Sequence, residues 1–211
     1  MEKKTIYHII LDQSGSMADC IQQTISGFNE QLQVIKKLES EFLEQKILVG
    51  LTRFNDTVMP TCFGQPVNQI KPLSVETYVP NGTTALLDAI GSTCLRITED
   101  FANELKEDTT VVIVILTDGY ENASRRFTSK AIKDLISELE GTGKWTFTYL
   151  GATIDAVETA SALNIKSRNS RSFNKTEMNE SYEMLSSSLH TYLQQRRSGM
   201  QPQDFLPDDS K

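Results

Sequence analysis

The sequence predicts an α/β domain: a three-layer, Rossmann-like (doubly wound) and mainly parallel sheet, with one antiparallel edge strand and helices on both faces. Three observations predict it. Apolar, β-rich runs alternate with stretches of helical periodicity. The run TVVIVIL at 110–116 has no polar alternation, as expected of a central strand covered on both faces. Two apolar runs stop abruptly at carboxylates, Asp12 and Asp118, in the position where open α/β sheets bind ligands beyond their strand ends.

Residues 5–11 form the first expected strand, and the helix after it carries Ile21, Ile25, Phe28, Leu32, Ile35 and Leu38 on one stripe. The second strand is 46–54; 57–63 pairs back onto it through the short Asn55-Asp56 turn, giving the antiparallel edge. Pro66, Pro72 and Pro80 make 64–81 mostly loop. A second long helix starts near Ala85, with Leu86, Ile90, Leu95 and Phe101 as buried candidates. After the central strand, Ile132, Leu135, Ile136 and Leu139 stripe a third helix that Gly141 and Gly143 end. The next strand is 144–150. Asp155 with Glu158 reads as a capping box opening a short helix to about Leu163. A last edge strand at 170–173 precedes a final helix, capped by Thr176, whose Met178, Tyr182, Leu185, Leu189 and Leu193 share a face that packs on the domain. The domain is expected to span 1–197, with a core at 5–163 and a C-terminal strand and helix at 170–197. Residues 198–211 lose all periodicity and are expected to be a disordered tail.

Composition narrows the function. A net charge of −7, with no Lys/Arg cluster to offset it, argues against nucleic acid and anionic membranes as partners; the doublets Lys3-Lys4, Lys36-Lys37, Arg125-Arg126 and Arg196-Arg197 read as solvated charges. No apolar stretch approaches the roughly 20 residues of a membrane span. Residues 1–4 run straight into a strand, so no signal peptide is expected. Cys20, Cys62 and Cys94 are odd in number and widely spaced, which reads as reduced buried thiols. A cytoplasmic location is expected.

The chemistry gathers in three segments. Asp12, Ser14 and Ser16 lie at alternate positions around Gly15, on one loop at the end of the first strand. Small oxygen-bearing side chains on a tight turn suit a hard divalent cation and not zinc or copper. They also suit a helix N-cap, and on this loop alone the two readings stand side by side. Thr84 then opens the second long helix, and Leu116-Thr117-Asp118-Gly119 ends the central strand. If the two aspartate-ended strands are neighbours, five oxygen-bearing residues converge. His8 and His190 have no third ligand nearby in sequence and read as structural or exposed, and Gly141-Thr142-Gly143-Lys144 lacks the rest of a phosphate loop.

D-x-S-x-S, then a threonine opening a helix about seventy residues on, then T-D-G after a buried strand, resembles the von Willebrand factor type A domain, over residues 5–163. The resemblance implies a metal-ion-dependent adhesion site. In it Ser14 and Ser16 bind Mg²⁺ or Mn²⁺ through their hydroxyls, Thr84 binds directly or through water, and Asp12 and Asp118 hold metal-bound waters and orient the serines. It also implies a non-enzymatic module that takes an Asp or Glu from a partner protein onto the metal. The type resembled is a stand-alone cytoplasmic domain of bacteria, archaea or phages, some of which act as adaptors in assemblies with AAA+ ATPases. Around the site, Gln13, Tyr120 and Arg125 are the expected partner contacts. The rival function is a Mg²⁺-dependent phosphotransfer enzyme or phosphatase with Asp12 as nucleophile. Against it, Ser14 stands where such enzymes carry a second Asp, and no lysine is visible at a strand end.

Overall fold

β1 (Lys3–Asp12) is buried from Thr5 to its end, because strands cover it on both edges and helices on both faces. In the computed structural model, which describes residues 3–207, the sheet has six strands in the order β3-β2-β1-β4-β5-β6. The others are β2 (Gln45–Phe54), β3 (Val58–Gln65), β4 (Thr109–Thr117), β5 (Trp145–Gly151) and β6 (Ser170–Ser172). All pairings are parallel except β2 with β3, the antiparallel edge expected from the Asn55-Asp56 turn.

Among the described residues five α-helices cover the sheet: α1 (Ile21–Glu41), α2 (Leu86–Asp100), α3 (Ser129–Gly141), α4 (Ala156–Ala162) and α5 (Met178–Arg197). Strand alternation sorts the core into two halves. Tyr7, Ile9, Leu11, Val112, Val114 and Leu116 face the layer of α1 and α5. Ile6, Ile10, Val111, Ile113 and Ile115 face the layer of α2, α3 and α4. Each half is about one side chain deep on each strand, which is what a continuous apolar run supplies.

From β1 the chain winds outward to β2 and β3, then returns to β4 and winds the other way. The strand order therefore reverses between β1 and β4, which are hydrogen-bonded neighbours with Leu11 opposite Leu116. A crevice opens beyond their C-terminal ends, the usual ligand position of this architecture. Asp12 and Asp118 flank it.

Several expected details differ. Leu95 is half exposed rather than buried, lying on the outer face of α2. Asp155 makes no side-chain cap at α4. The cap before α5 belongs to Asn174, whose Oδ1 accepts from the Thr176 amide, so Thr176 is the capped residue and not the cap. Arg196 is not a solvated charge: its guanidinium is buried and pairs with Asp108 at 2.9 Å.

The tail expectation is corrected too. Residues 198–207 return across the open end of the α1/α5 layer, and Phe205 and Leu206 are buried in it. The Phe205 ring packs on Tyr7 and Tyr192, and its amide donates to Asn169 Oδ1 at 2.8 Å. Two apolar residues without periodicity are invisible to a pattern search, yet they suffice to plug one hole in a core. Residues 208–211, also assigned to the tail, lie outside the described residues.

Candidate metal centre

The loop after β1 is a 3₁₀ turn, Gly15–Cys20, entered through Ser14. Ser14 stands at the N-cap position, but its side chain makes no capping hydrogen bond. That decides against the simple cap reading: the Ser14 hydroxyl instead lies 3.1 Å from Ser16 Oγ. Ser16 Oγ in turn donates to Asp118 Oδ1 at 2.7 Å, across 102 residues of sequence. The loop is held down by Gly15 N, which donates to the Gly82 carbonyl at 3.1 Å.

Asp12 acts as the loop's internal anchor. It is fully buried; Oδ1 accepts from the Ser14 amide at 2.7 Å and Oδ2 from the Thr117 hydroxyl. Its main-chain carbonyl accepts from the Tyr78 hydroxyl at 2.6 Å. Burial is the main influence on its carboxyl and pushes it up to about 6, against the lowering effect of the Thr117 and Ser14 hydrogen bonds, while the charge of Asp118 adds to the rise.

Thr84 arrives from the segment before α2 and is buried. Its amide donates to Asn122 Oδ1, and its carbonyl accepts from the amides of Asn122 and Ala123. Glu121 links the same two segments, accepting from Leu87 N at 2.9 Å and from the amides of Ala123 and Ser124. Asp88, on α2, takes the amides of Arg125, Arg126 and Phe127. These carboxylates clamp the loop after β4 onto α2. A Cβ built on Gly119 would lie 2.9 Å from Thr84 Oγ1 and 3.5 Å from Ser16 Oγ, so Thr84, Ser16 and the Asp118-Gly119 turn meet at one point. A side chain there would have to displace the Thr84 hydroxyl.

All five expected residues are therefore brought together. The donor set fits a hard divalent ion: three hydroxyls and two carboxylates, with Asp118 enclosed and one of its oxygens already facing the serine pair. Among the described residues, no group of three or more His, Cys, Asp or Glu is placed to hold a metal ion.

The flanking residues divide. Tyr120 is 58% exposed and Arg125 is exposed, both on the rim. Gln13 is not: it is buried, its amide donates to the Phe54 carbonyl, its Nε2 to the Val79 carbonyl, and its Oε1 accepts from Arg53 at 3.1 Å. A long polar side chain next to a strand end has turned inward to the Val79 carbonyl and to Arg53 of β2, so its expected role as a partner contact is withdrawn.

The expectation of no lysine at a strand end is also corrected. Lys175, just after β6, reaches into the crevice, pairs with Asp118 Oδ2 and donates to the Ser16 carbonyl at 2.7 Å. Burial works against its charge, but the hydrogen bond and charge of Asp118 hold the ammonium above the usual lysine value. Thr117, Tyr78, Asn122 and Lys175 are the site residues that sequence reasoning missed. Thr117 and Asn122 flank Asp118 closely enough to be found by reading outward from it; Tyr78 and Lys175 carry no local signal.

The sequence matches the family model of the von Willebrand factor type A domain over residues 8–187, a span that contains all five crevice residues. The chain belongs to this family. Among solved structures with the von Willebrand factor type A fold, it is similar to the vWF domain of the type V pili tip protein Mfa5 from Porphyromonas gingivalis, with a TM-score of 0.62, 8% identity, and coverage of 92% of this chain and 97% of that one. It is similar to the ArnB paralog VWA2 from Sulfolobus acidocaldarius (TM-score 0.57, 15% identity, 87% and 45% covered). It is also similar to proximal thread matrix protein 1 from the mussel byssus, in a form with a zinc-occupied MIDAS motif (TM-score 0.57, 12% identity, 90% and 46% covered). The chain spans about half the length of several of these structures: 45% of VWA2, and 46% and 48% of two forms of the mussel protein. No curated protein matches the sequence. No helix among the described residues is long and apolar enough to cross a membrane.

Proposed function

We propose that this von Willebrand factor type A domain is a non-enzymatic protein-binding module. It holds Mg²⁺ or Mn²⁺ at Ser14, Ser16, Thr84 and Asp118, with Asp12 fixing the loop, and takes an Asp or Glu carboxylate of another protein onto the ion. The observation that carries this reading is the Ser14–Ser16–Asp118 chain of contacts at the β1/β4 switch point, with the Ser14 hydroxyl unused in capping. Neutral hydroxyls leave a bound ion electrophilic, and Mg²⁺ keeps exchangeable waters that an incoming carboxylate can replace. An adaptor role in an assembly, an AAA+ ATPase being one such partner, is compatible with this chemistry. Tyr120 and Arg125 are the side chains proposed to contact the partner protein.

The enclosure of Asp12 supports the non-catalytic reading. A carboxylate nucleophile needs an oxygen open to the substrate, and both oxygens of Asp12 are engaged within the protein at zero exposure.

Calorimetric titration of Mn²⁺ and Mg²⁺ tests the metal, with Zn²⁺ as a third arm. Wild type should bind Mn²⁺, and Ser16→Ala and Asp118→Ala should each bind it at least about 10–100-fold more weakly. Equal heats in all three proteins would sink the metal site. Recovery of partner proteins with and without EDTA tests the recognition step: capture should be lost on chelation, and partners retained in EDTA would show that the carboxylate does not meet the protein through a metal.

A further inference from the structure

Lys175 opens the short 3₁₀ turn Lys175–Glu177 that joins β6 to α5. Its ammonium sits on the carboxylate that the proposed ion would use. It pairs with Asp118 Oδ2, while Asp118 Oδ1 holds Ser16 Oγ at 2.7 Å. It also donates to the Ser16 carbonyl, so it grips both the loop after β1 and the turn after β4. The Asp118 side chain is completely enclosed, whereas that of Lys175 is 28% exposed, so the lysine has a way out to solvent and the carboxylate has none. The turn around Lys175 is closed on itself: Asn174 Oδ1 accepts from the amide and hydroxyl of Thr176, and the Asn174 carbonyl from Glu177 N.

We propose that Lys175 is a tethered cation of this site: it neutralises Asp118 in the metal-free protein, and a divalent ion and the Lys175 ammonium are mutually exclusive occupants. The inference rests on the metal reading above. Asp118 offers one negative charge, and Asp12 spends its oxygens on Ser14 and Thr117. Two cations on one enclosed carboxylate repel with little screening from water or salt. Metal entry therefore expels Lys175 and frees the turn at 174–177 from the crevice. The lysine also sets affinity. A site competent in only a fraction of molecules shows its intrinsic dissociation constant divided by that fraction, so removing the competitor tightens binding with no new ligand.

Mn²⁺ titration of wild type, Lys175→Met and Lys175→Arg, each as the full chain, tests this. Lys175→Met should bind at least ten-fold more tightly than wild type, and Lys175→Arg, which keeps the charge, should stay within about three-fold of it. Hydrogen exchange at 173–178 should quicken in wild type when Mn²⁺ is added and change little in Lys175→Met. Melting should reverse order: without metal Lys175→Met melts below wild type, because Asp118 has lost its counter-charge, and with saturating Mn²⁺ it gains the larger stabilisation. A merely structural lysine would not produce that reversal. Lys175→Gln replaces the Met variant if the latter does not fold. Equal or weaker binding by the neutral variant overturns the inference while leaving the metal site intact. Absence of Mn²⁺ uptake by every protein, wild type included, overturns the metal site and this inference with it.

Discussion

Two buried ionisable residues on β1 lean in opposite directions. His8 is fully buried with its Nε2 against Thr52 Oγ1 at 2.9 Å, and its ring fills the space above Gly50. Burial, with a smaller contribution from the charge of Arg96, lowers it to about 3. The unfolded chain takes up a proton near pH 6.5 that the folded chain refuses, so His8 costs stability as pH falls from about 6.5 towards 3. Asp12, raised to about 6 and ordinary when unfolded, acts the other way: its protonated folded form favours the native state, and that benefit is lost as pH rises from about 4 through 6. Between pH 4 and 6 the two therefore offset each other in wild type. We predict that the stability difference between wild type and His8→Gln changes by about 1.4 kcal/mol per pH unit below pH 6.5, to the disadvantage of wild type in acid. Urea unfolding of both proteins at pH 4.5, 5.5, 6.5 and 7.5 checks it, and a difference independent of pH would show that His8 titrates normally. At the same scale, Tyr120→Ala should weaken partner binding without changing Mn²⁺ affinity, since Tyr120 lies on the rim and touches none of the proposed ligands' hydrogen bonds. A partner titration at saturating Mn²⁺ measures it; unchanged affinity removes Tyr120 from the interface.

The elements owe their positions to close fits between a few side chains. α1 and α5 pack in one layer, and Gly27 is where they approach: a Cβ there would lie 2.1 Å from Tyr182 Cδ2. In an isolated helix Gly→Ala gains about 1 kcal/mol. Here the methyl group strikes the middle of a buried ring, and overpacking of this kind costs about 1–3 kcal/mol. Gly27→Ala should destabilise the domain, and in a Tyr182→Ala background the same substitution should turn neutral or stabilising. Denaturation midpoints of the four proteins in this cycle give the coupling. If Gly27→Ala destabilises equally in both backgrounds, the contact does not set the α1–α5 approach. Since α5 begins directly after the turn that carries Lys175, this packing also fixes where the lysine's tether starts.

Across the whole molecule, the C-terminal segment closes the core. Phe205 and Leu206 cover the α1/α5 layer, Arg168 pairs with Asp204 at 2.7 Å, and Gln203 Nε2 donates to the Gly143 carbonyl at 2.9 Å. The segment thus ties the turn before β6, α5 and the loop before β5 together. Phe205→Ala should cost about 3 kcal/mol, the lower end for a buried phenylalanine, and removal of 199–211 at least as much. Metal affinity should be unchanged in either, because the hydrogen bonds and ion pairs of 199–207 involve none of the crevice residues. Thermal melts and Mn²⁺ titration check both halves; a truncated chain as stable as wild type would show the segment to be dispensable.

Much of this protein is written locally. Runs such as 110–116 cannot form a half-solvated strand, and the spacing of Ile21, Ile25, Phe28 and Leu32 dictates a one-sided helix, so the α/β class and nearly every element follow from near neighbours in sequence. The five oxygen-bearing residues were legible for the same reason: they lie where a strand ends or on the segments just after a strand or just before a helix, and parallel topology gathers such segments on one edge. What tertiary structure alone decided concerns side chains whose choice depends on distant partners. Ser14 and Gln13 lie one residue apart on the same loop with similar polarity. One keeps its hydroxyl turned to Ser16, and the other is drawn inward by Arg53 and Val79, residues 40 and 66 positions away. Phe205 finds its pocket between Tyr7 and Tyr192, and Lys175 finds Asp118 across β6 and the open crevice. Periodicity records which face of an element is buried. It does not record which loop a long polar side chain will reach, because that is settled by the charges and unsatisfied backbone groups that the closed fold brings within a few ångströms. The loop 12–16 carries the chemistry in its letters; whether an ammonium or a metal ion sits on Asp118 is a property of the folded crevice.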